Sequence, residues 1–365
     1  MNKRFAFLTI LLSLSLVLAA CGSGGSESGS NQDCEPDSNF VKAGIVTDEG
    51  GVDDKSFNQS AWEGLQAYGD EHCLEKGEHF DYAQSNSDTE YDSNLTRLTQ
   101  SDYELVFGIG YKLTEAIEKV AEQNPDTKYA LVDEVAEGDN IASITFKEHQ
   151  GSFLVGVAAA LKTETGKVGF VGGMDSPLIN KFEVGYIAGV KSIDPSIEID
   201  VRYAETFSDA GKGRQIANSM YNSDADVIYH AAGGAGNGVF NEAKDIKNNN
   251  PDRDVWVIGV DRDQYEEGAL EVDDTEYNVT LTSMVKRVDI SVQDVIERTM
   301  DGEFPAGETL EYGLSDNGIS AADTNEEAYT EDIKSEVEDW KEQIQNGDID
   351  VPSTHDELDE FLENL

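Results

Sequence analysis

Along residues 40–302, short runs of β-branched and aromatic residues alternate with longer stretches whose apolar side chains recur every three or four positions. The short runs are VKAGIVT, FDYAQS, YELVFGIG, KYALVD, NIASITF, KVGFVGG, IEIDVRYAET, DVIYHAAG, DVWVIGVD and YNVTLTSM. Such runs read as strands, and their near-continuous apolar character marks strands covered on both faces. Helical spacing predicts helices over Ser56–His72, Leu113–Gln123, His149–Leu161 and Asn237–Asn248, several opening directly after Gly, Ser or Asn as N-termini prefer. Strands alternating with helices predict an α/β fold built on mostly parallel, doubly wound sheets. The strands outnumber the about six of a comfortable sheet, so two lobes are expected.

Ahead of this body the texture changes. Met1–Arg4 is a short basic start, and Phe5–Ala20 is one apolar run that ends Leu18-Ala19-Ala20-Cys21-Gly22. The run falls short of the about 20 residues of a membrane span and has the proportions of a signal peptide, residues 1–20. Small residues before a cysteine resemble the lipobox of exported lipoproteins, in which Cys21 carries the lipid and becomes the new N-terminus. Residues 21–39 are rich in Gly, Ser, Asn and Asp without hydrophobic periodicity, as in a flexible tether. Cys34 and Cys73 remain, and in an exported chain they are candidates for a disulfide whose formation the sequence leaves open.

Charge narrows the list of partners. The chain has 74 acidic and 26 basic residues among 365, a formal net charge of −48, yet 38% of its residues are hydrophobic, enough apolar material to fold. So negative a surface repels nucleic-acid phosphates and anionic membrane faces, which excludes nucleic-acid binding. It also repels itself in dilute buffer. At molar salt the Debye length falls to about 3 Å, so a protein working in concentrated salt is the simplest reading, with unfolding on dilution as its consequence.

Chemistry-bearing motifs are few. The five histidines show no HExxH or His-x-His spacing, and Cys-x-x-Cys is absent, so neither a metal nor another cofactor is expected. Neither a G-x-S-x-G elbow nor a G-x-x-x-x-G-K-[ST] phosphate loop occurs, and no catalytic residue is assigned. What recurs is an acid or a glycine at the ends of strands. Asp48 and Gly50-Gly51 follow the first run, Gly108 and Gly110 end the third, and Asp133 ends YALVD. Gly233-Gly234 ends DVIYHAAG and Asp261 ends VWVIGVD. Ligands of parallel α/β sheets sit beyond the carboxyl ends of the strands, so these residues point to one cleft between two lobes.

TDEGGVDDKSFNQSAWEGL (47–65) resembles the basic membrane protein family of substrate-binding lipoproteins, whose best-understood members are PnrA-like purine nucleoside receptors. The resemblance continues through IASITFKEHQGSFLVGVAAAL, GKVGFVGGMDSPLINKFEVGYIAGV, ADVIYHAAGGAGNGVF, VIGVDRDQY and TSMVKRVD, covering most of residues 40–302. It implies a type I periplasmic-binding-protein fold, two lobes joined by three crossings around a ligand cleft. The expected division is an N-terminal lobe of 40–147 with 284–302 and a C-terminal lobe of 148–283 with 303–365.

Carried over residue by residue, the family pattern implies that Phe57 and Phe182 sandwich a base and that Asp48 reads its edge. Asp133 and Asp261 would accept ribose hydroxyls, with Lys286 as a donor beside them. Gly233 and Gly234 would let backbone amides approach the sugar. Asp53, Asp54, Lys55, the Asn58-Gln59 pair and Trp62 read as structural, an aspartate capping the following helix and Trp62 packing. The implied protein is a monomeric, membrane-anchored receptor on the outer side of the membrane, passing a nucleoside to ABC permease subunits. The residues alone leave open a binder of a sugar or another small polar solute and, less favoured, a nucleoside-hydrolysing enzyme.

Overall fold

The computed structural model describes residues 35–36 and 38–365. The expected leader, lipobox cysteine Cys21, most of the tether and Cys34 lie outside the described residues. Cys73, at the end of the first helix, is disulfide-bonded.

The strands, in chain order, are β1 (Ala43–Val46), β2 (Phe80–Ala83), β3 (Leu105–Ile109), β4 (Lys128–Val132), β5 (Ile141–Phe146), β6 (Lys167–Gly172), β7 (Glu198–Tyr203), β8 (Val227–Ala231), β9 (Trp256–Asp261), β10 (Ala269–Val272), β11 (Thr275–Asn278), β12 (Thr280–Lys286), β13 (Thr309–Tyr312) and β14 (Ile319–Ala321). Among the helices are α1 (Phe57–Glu71), α2 (Tyr91–Gln100), α3 (Thr114–Gln123), α4 (Glu148–Lys162), α5 (Pro177–Ile193), α6 (Ala210–Tyr221), α7 (Asn237–Asn249), α8 (Val288–Met300), α9 (Glu331–Asn346) and α10 (His355–Glu363).

Among the described residues the strands form two six-stranded sheets and a small β10–β11 hairpin. One sheet runs β13-β5-β4-β3-β1-β2 and the other β14-β12-β9-β8-β6-β7. The two orders correspond strand for strand, so β1 answers to β6, β3 to β8 and β4 to β9. All pairings within the sheets are parallel except the edge pair β12–β14. Strands β3 and β8 are buried throughout and β9 in all but its first residue, as their apolar runs require.

The chain crosses between sheets three times, at Lys147 between β5 and α4, at Arg287 between β12 and α8, and over Gly313–Gly318 between β13 and β14. The crossings lie side by side, since Lys147 N donates to Tyr312 O at 2.9 Å and Arg287 N to Gly318 O at 2.8 Å. Sheet membership moves the expected lobe boundaries. Strand β12 stays in the second sheet to Lys286, and β13 returns to the first, so the returning segment is nearer 287–312 than 284–302. The run YNVTLTSM also divides, its first residues closing the hairpin and the rest forming β12.

Helix packing fixes the inner ends of the site elements. Helices α4 and α5 meet through Gly185 and Gly189, four residues apart on one face of α5. A Cβ at those positions would come 2.3 Å from His149 O and 2.1 Å from Phe153 O. Only hydrogen at those positions lets the two backbones approach so closely, and the close pair sets Glu148 and Phe182 on neighbouring turns. Helix α5 starts cleanly, with Ser176 Oγ accepting from Ile179 N at 3.4 Å and Pro177 in its first turn. Trp62 packs on the rings of Phe80 and Tyr82, the structural role its spacing suggested.

Candidate functional site

The carboxyl ends of both sheets face each other across a cavity lined from both sides. Corresponding elements supply its walls from both sides. Phe57 opens α1 after β1, and Phe182 lies on α5 after β6. Gly110 follows β3 and Gly233 follows β8, both at positive φ (110° and 53°). Asp133 follows β4 and Asp261 ends β9. Both aspartates also hold left-handed backbone, φ 74° and 66°. That region is open to Asp and Asn at modest cost and closed to most other side chains, and such strained residues cluster at ligand sites.

Lys286 breaks the symmetry. It ends β12 beside the second crossing and is 1% exposed. Its ammonium donates to Asp133 Oδ2 at 2.7 Å, across from the other lobe, and lies 3.7 Å from Asp261 Oδ1 and 3.9 Å from Glu148 Oε1. The rings of Phe57 and Phe182 come 4.7 and 5.4 Å from the same nitrogen. Burial alone would lower its pKa, but the three carboxylates outweigh that and hold it above the ordinary lysine value. Burial pushes Asp261 up to about 6 and Glu148 to about 7, against the pull of the ammonium. Ser56 Oγ donates to Asp261 Oδ2 at 2.5 Å, a second polar link between lobes. Asp133 Oδ1 is buried without a hydrogen-bond partner, leaving acceptor capacity on a residue that lines the cavity.

At the opposite wall Asp48 accepts from Gly50 N at 2.8 Å and from Asn58 Nδ2 at 2.7 Å. Burial raises its pKa to about 7, and the carboxylates of Glu49 and Asp54 add to the rise. Asp54 accepts from the backbone N–H groups of Ser56, Asn58 and Gln59 at 2.9–3.1 Å, which caps α1 as expected. It also takes Asn58 Nδ2 at 2.9 Å.

Of the eight residues singled out for ligand binding, Asp48, Phe57, Asp133, Phe182, Gly233, Asp261 and Lys286 line this cavity. Gly234 does not; it turns toward Phe207 O and Asp54 Cβ, one residue outside the wall. Asp54 and Asn58, read as structural, also line it, and so do Tyr111 and Phe207. Phe207 stands in the irregular β7–α6 loop, where no periodicity could mark it. Asn58 had a visible signal, the N-terminal turn of the same helix that carries Phe57. Among the described residues no group of three or more His, Cys, Asp or Glu is placed to hold a metal ion.

A cavity lined by aromatic rings and carboxylates, with Asp133 Oδ1 free to accept, is suited to hold an uncharged polar solute. The comparisons agree with that use. Residues 41–355 match the family model described as Bmp, ABC transporter substrate-binding protein PnrA-like. The chain is 50% identical over 357 residues to a CD4+ T-cell-stimulating antigen of Listeria innocua, covering 96% of this chain and 99% of that one. It is 44% identical to the ABC transporter nucleoside-binding protein BmpA of Lactococcus lactis subsp. cremoris, covering 97% and 100%. Among solved structures, an ABC transporter solute-binding protein of Aeropyrum pernix K1 superposes with a TM-score of 0.74 at 26% identity, over 88% of this chain and 96% of that one. Family, fold and cleft together show that the chain belongs to the Bmp family of PnrA-like ABC transporter substrate-binding proteins, an extracytoplasmic solute-binding component of a transporter and not an enzyme.

Proposed function

We propose that the solute is a nucleoside, in first place a purine nucleoside. The observation that carries this reading is a lining that brings three phenylalanines together with aspartates and one buried lysine. The rings of Phe57, Phe182 and Phe207, with Leu178 and Ile179, form the apolar part. A flat heterocycle against such rings buries area and gains about 0.5–1.5 kcal/mol per well-placed pair. Asp133 and Asp261 face the same space with acceptors for hydroxyl donors, each charge-assisted bond contributing about 1.5–3 kcal/mol. Asp48 would accept from N–H groups on the edge of the base. The nucleoside-binding name of the lactococcal relative supports the same choice.

The charge arithmetic separates nucleosides from nucleotides. Asp48, Asp54, Asp133 and Asp261 line the cavity against one lysine, and that lysine is already paired with Asp133. A phosphate would meet carboxylates without a free cation to offset them. In molar salt, thermal shifts with adenosine, guanosine, inosine, cytidine, uridine, ribose, free bases and 5′-monophosphates test this reading. The purine nucleosides are expected to stabilise the protein by about 2.7 kcal/mol at 100 times their dissociation constant. The monophosphates are expected to leave it unchanged. Stabilisation by ribose alone would transfer the site to sugars.

Three crossings set side by side form a hinge, so the lobes close on the solute and the closed form is what the permease receives. Lipid on Cys21 would keep the receptor at the membrane through the 21–39 tether. Replacing Cys21 with serine should then release the protein into the medium, and retention in the detergent phase would argue against the anchor. The −48 charge supports work in concentrated salt.

A further inference from the structure

Phe207 reaches the cavity from one lobe and is held from the other. On its own side the ring lies on the backbone of Gly173, where an added Cβ would come 2.2 Å from Phe207 Cε1, and Phe207 O accepts from Ala235 N at 3.0 Å. Across the cleft, Tyr111 meets the ring edge-on at 6.4 Å between centroids. The neighbouring Lys112 sets its ammonium 5.2 Å from the ring centroid. Lys112 is itself fixed, because Glu49 pairs with its ammonium through one carboxylate oxygen. The other oxygen of Glu49 accepts from Tyr91 Oη at 2.9 Å. A chain of contacts therefore runs Tyr91–Glu49–Lys112–Phe207, from the first sheet's lobe onto a ring of the second. The Lys112 and Glu49 side chains are 24% and 19% exposed, so water screens the pair only partly. Neither residue lines the cavity, while Tyr111 and Phe207 both do.

We propose that Glu49 and Lys112 are positioning residues that clamp Phe207 as the movable wall of the cavity, and so set how long a bound solute stays. A cation over an aromatic face that spans two lobes exists only while the lobes are together. Its free energy therefore adds to closure and not to the first encounter with the solute. Loss of the cation should speed ligand exit, leave entry nearly unchanged, and spare the cores of both lobes. Arginine keeps a cation that can stack on the ring and should restore part of what methionine loses. The proposal rests on reading the cavity as the solute site, but not on the solute being a nucleoside.

The test uses the full chain in molar salt with guanosine and adenosine as probes, and compares Lys112→Met, Lys112→Arg and Glu49→Gln with the unchanged protein. In stopped-flow measurements Lys112→Met is expected to raise the exit rate about 3- to 30-fold, the span a cation–π contact covers between exposed and desolvated sites. Glu49→Gln and Lys112→Arg should both fall between Lys112→Met and the unchanged protein. Amide exchange without any ligand gives an independent reading, because the contact favours the closed form that the free protein visits between openings. Lys112→Met should speed exchange in 204–210 and 110–113 while the melting temperature and the rest of the body stay as they were. If neither nucleoside binds the unchanged protein, the nucleoside reading fails and the exchange data still decide the clamp. Equal exchange and equal exit rates in Lys112→Met would overturn the proposal, and so would faster exchange spread evenly over both lobes, which signals a general loss of structure.

Discussion

Replacing Lys286 with methionine is expected to cost about 3–5 kcal/mol of folding stability near neutral pH, and far less at pH 5. Methionine fills the space of the lysine stem, so the loss measures charge more than volume. The ammonium is the common partner of Asp133, Asp261 and Glu148, all buried, and without it their negative charges face one another in a medium that solvates them poorly. The sign of the pH effect follows from the directions of the shifts. Asp261 and Glu148 already titrate near 6 and 7 because burial raises them, with Lys286 pulling them down. Removing the pull raises both further. A carboxyl group whose folded pKa is raised gives its full stability below the unfolded value of about 4 and loses it as pH rises toward the folded value. Both proteins lose this contribution in parallel from about pH 4, and they part only where the groups of the unchanged protein ionise, so the penalty of Lys286→Met grows from about pH 6 upward. In the unchanged protein the raised pKa of Lys286 keeps its contribution intact through neutral pH and loses it only under strongly alkaline conditions. Denaturant titrations of both proteins at pH 5 and pH 8 check this, and a difference that does not change with pH would remove the charge cluster from the account.

The second large effect is expected at Asp261, on binding instead of folding. Asparagine is the informative replacement because Asp261 holds φ 66°, a region that asparagine tolerates and alanine does not. Asp261→Asn keeps the shape and an acceptor for Ser56 Oγ but removes the charge. Loss of one charge-assisted hydrogen bond corresponds to about a 10- to 100-fold weaker nucleoside affinity. The fold should survive, since removing a carboxylate from a site with several acids and one cation relieves repulsion as well as attraction. Calorimetric titration with the nucleoside that stabilises the unchanged protein reads the loss. Unaltered affinity would take Asp261 out of the site, and a collapsed melting transition would show that its role is structural.

These two residues also show how differently parts of the site could be read from the chain. Asp261 and Asp133 stand at the ends of apolar runs, where the topology of parallel α/β sheets puts ligands, so their location follows from pattern alone. Their shared left-handed backbone and their placement on corresponding strands of two sheets were not legible. Lys286 was marked only by family resemblance. Its burial among three carboxylates depends on β12 lying in the second sheet, while the sequence division at residue 284 would have cut that strand. Glu148 opens the KEHQG helix without any local sign that it is fully buried. Phe207 and Gly234 depart from the sequence pattern in opposite directions. One is a lone aromatic in an irregular loop that the fold brings onto the cavity, and the other is the second glycine of a turn whose first alone reaches it.

By itself the sequence determined the alternation of strand and helix, the parallel sheets and the chain positions at which a cleft could form, because apolar periodicity and strand-end chemistry are local properties. Tertiary structure alone decided which strand belongs to which sheet and which acids share one cation. It also decided which loop aromatic is clamped from the facing lobe. Those contacts join residues up to 205 positions apart, as between Ser56 and Asp261, and a local pattern holds no record of a distance that only folding closes.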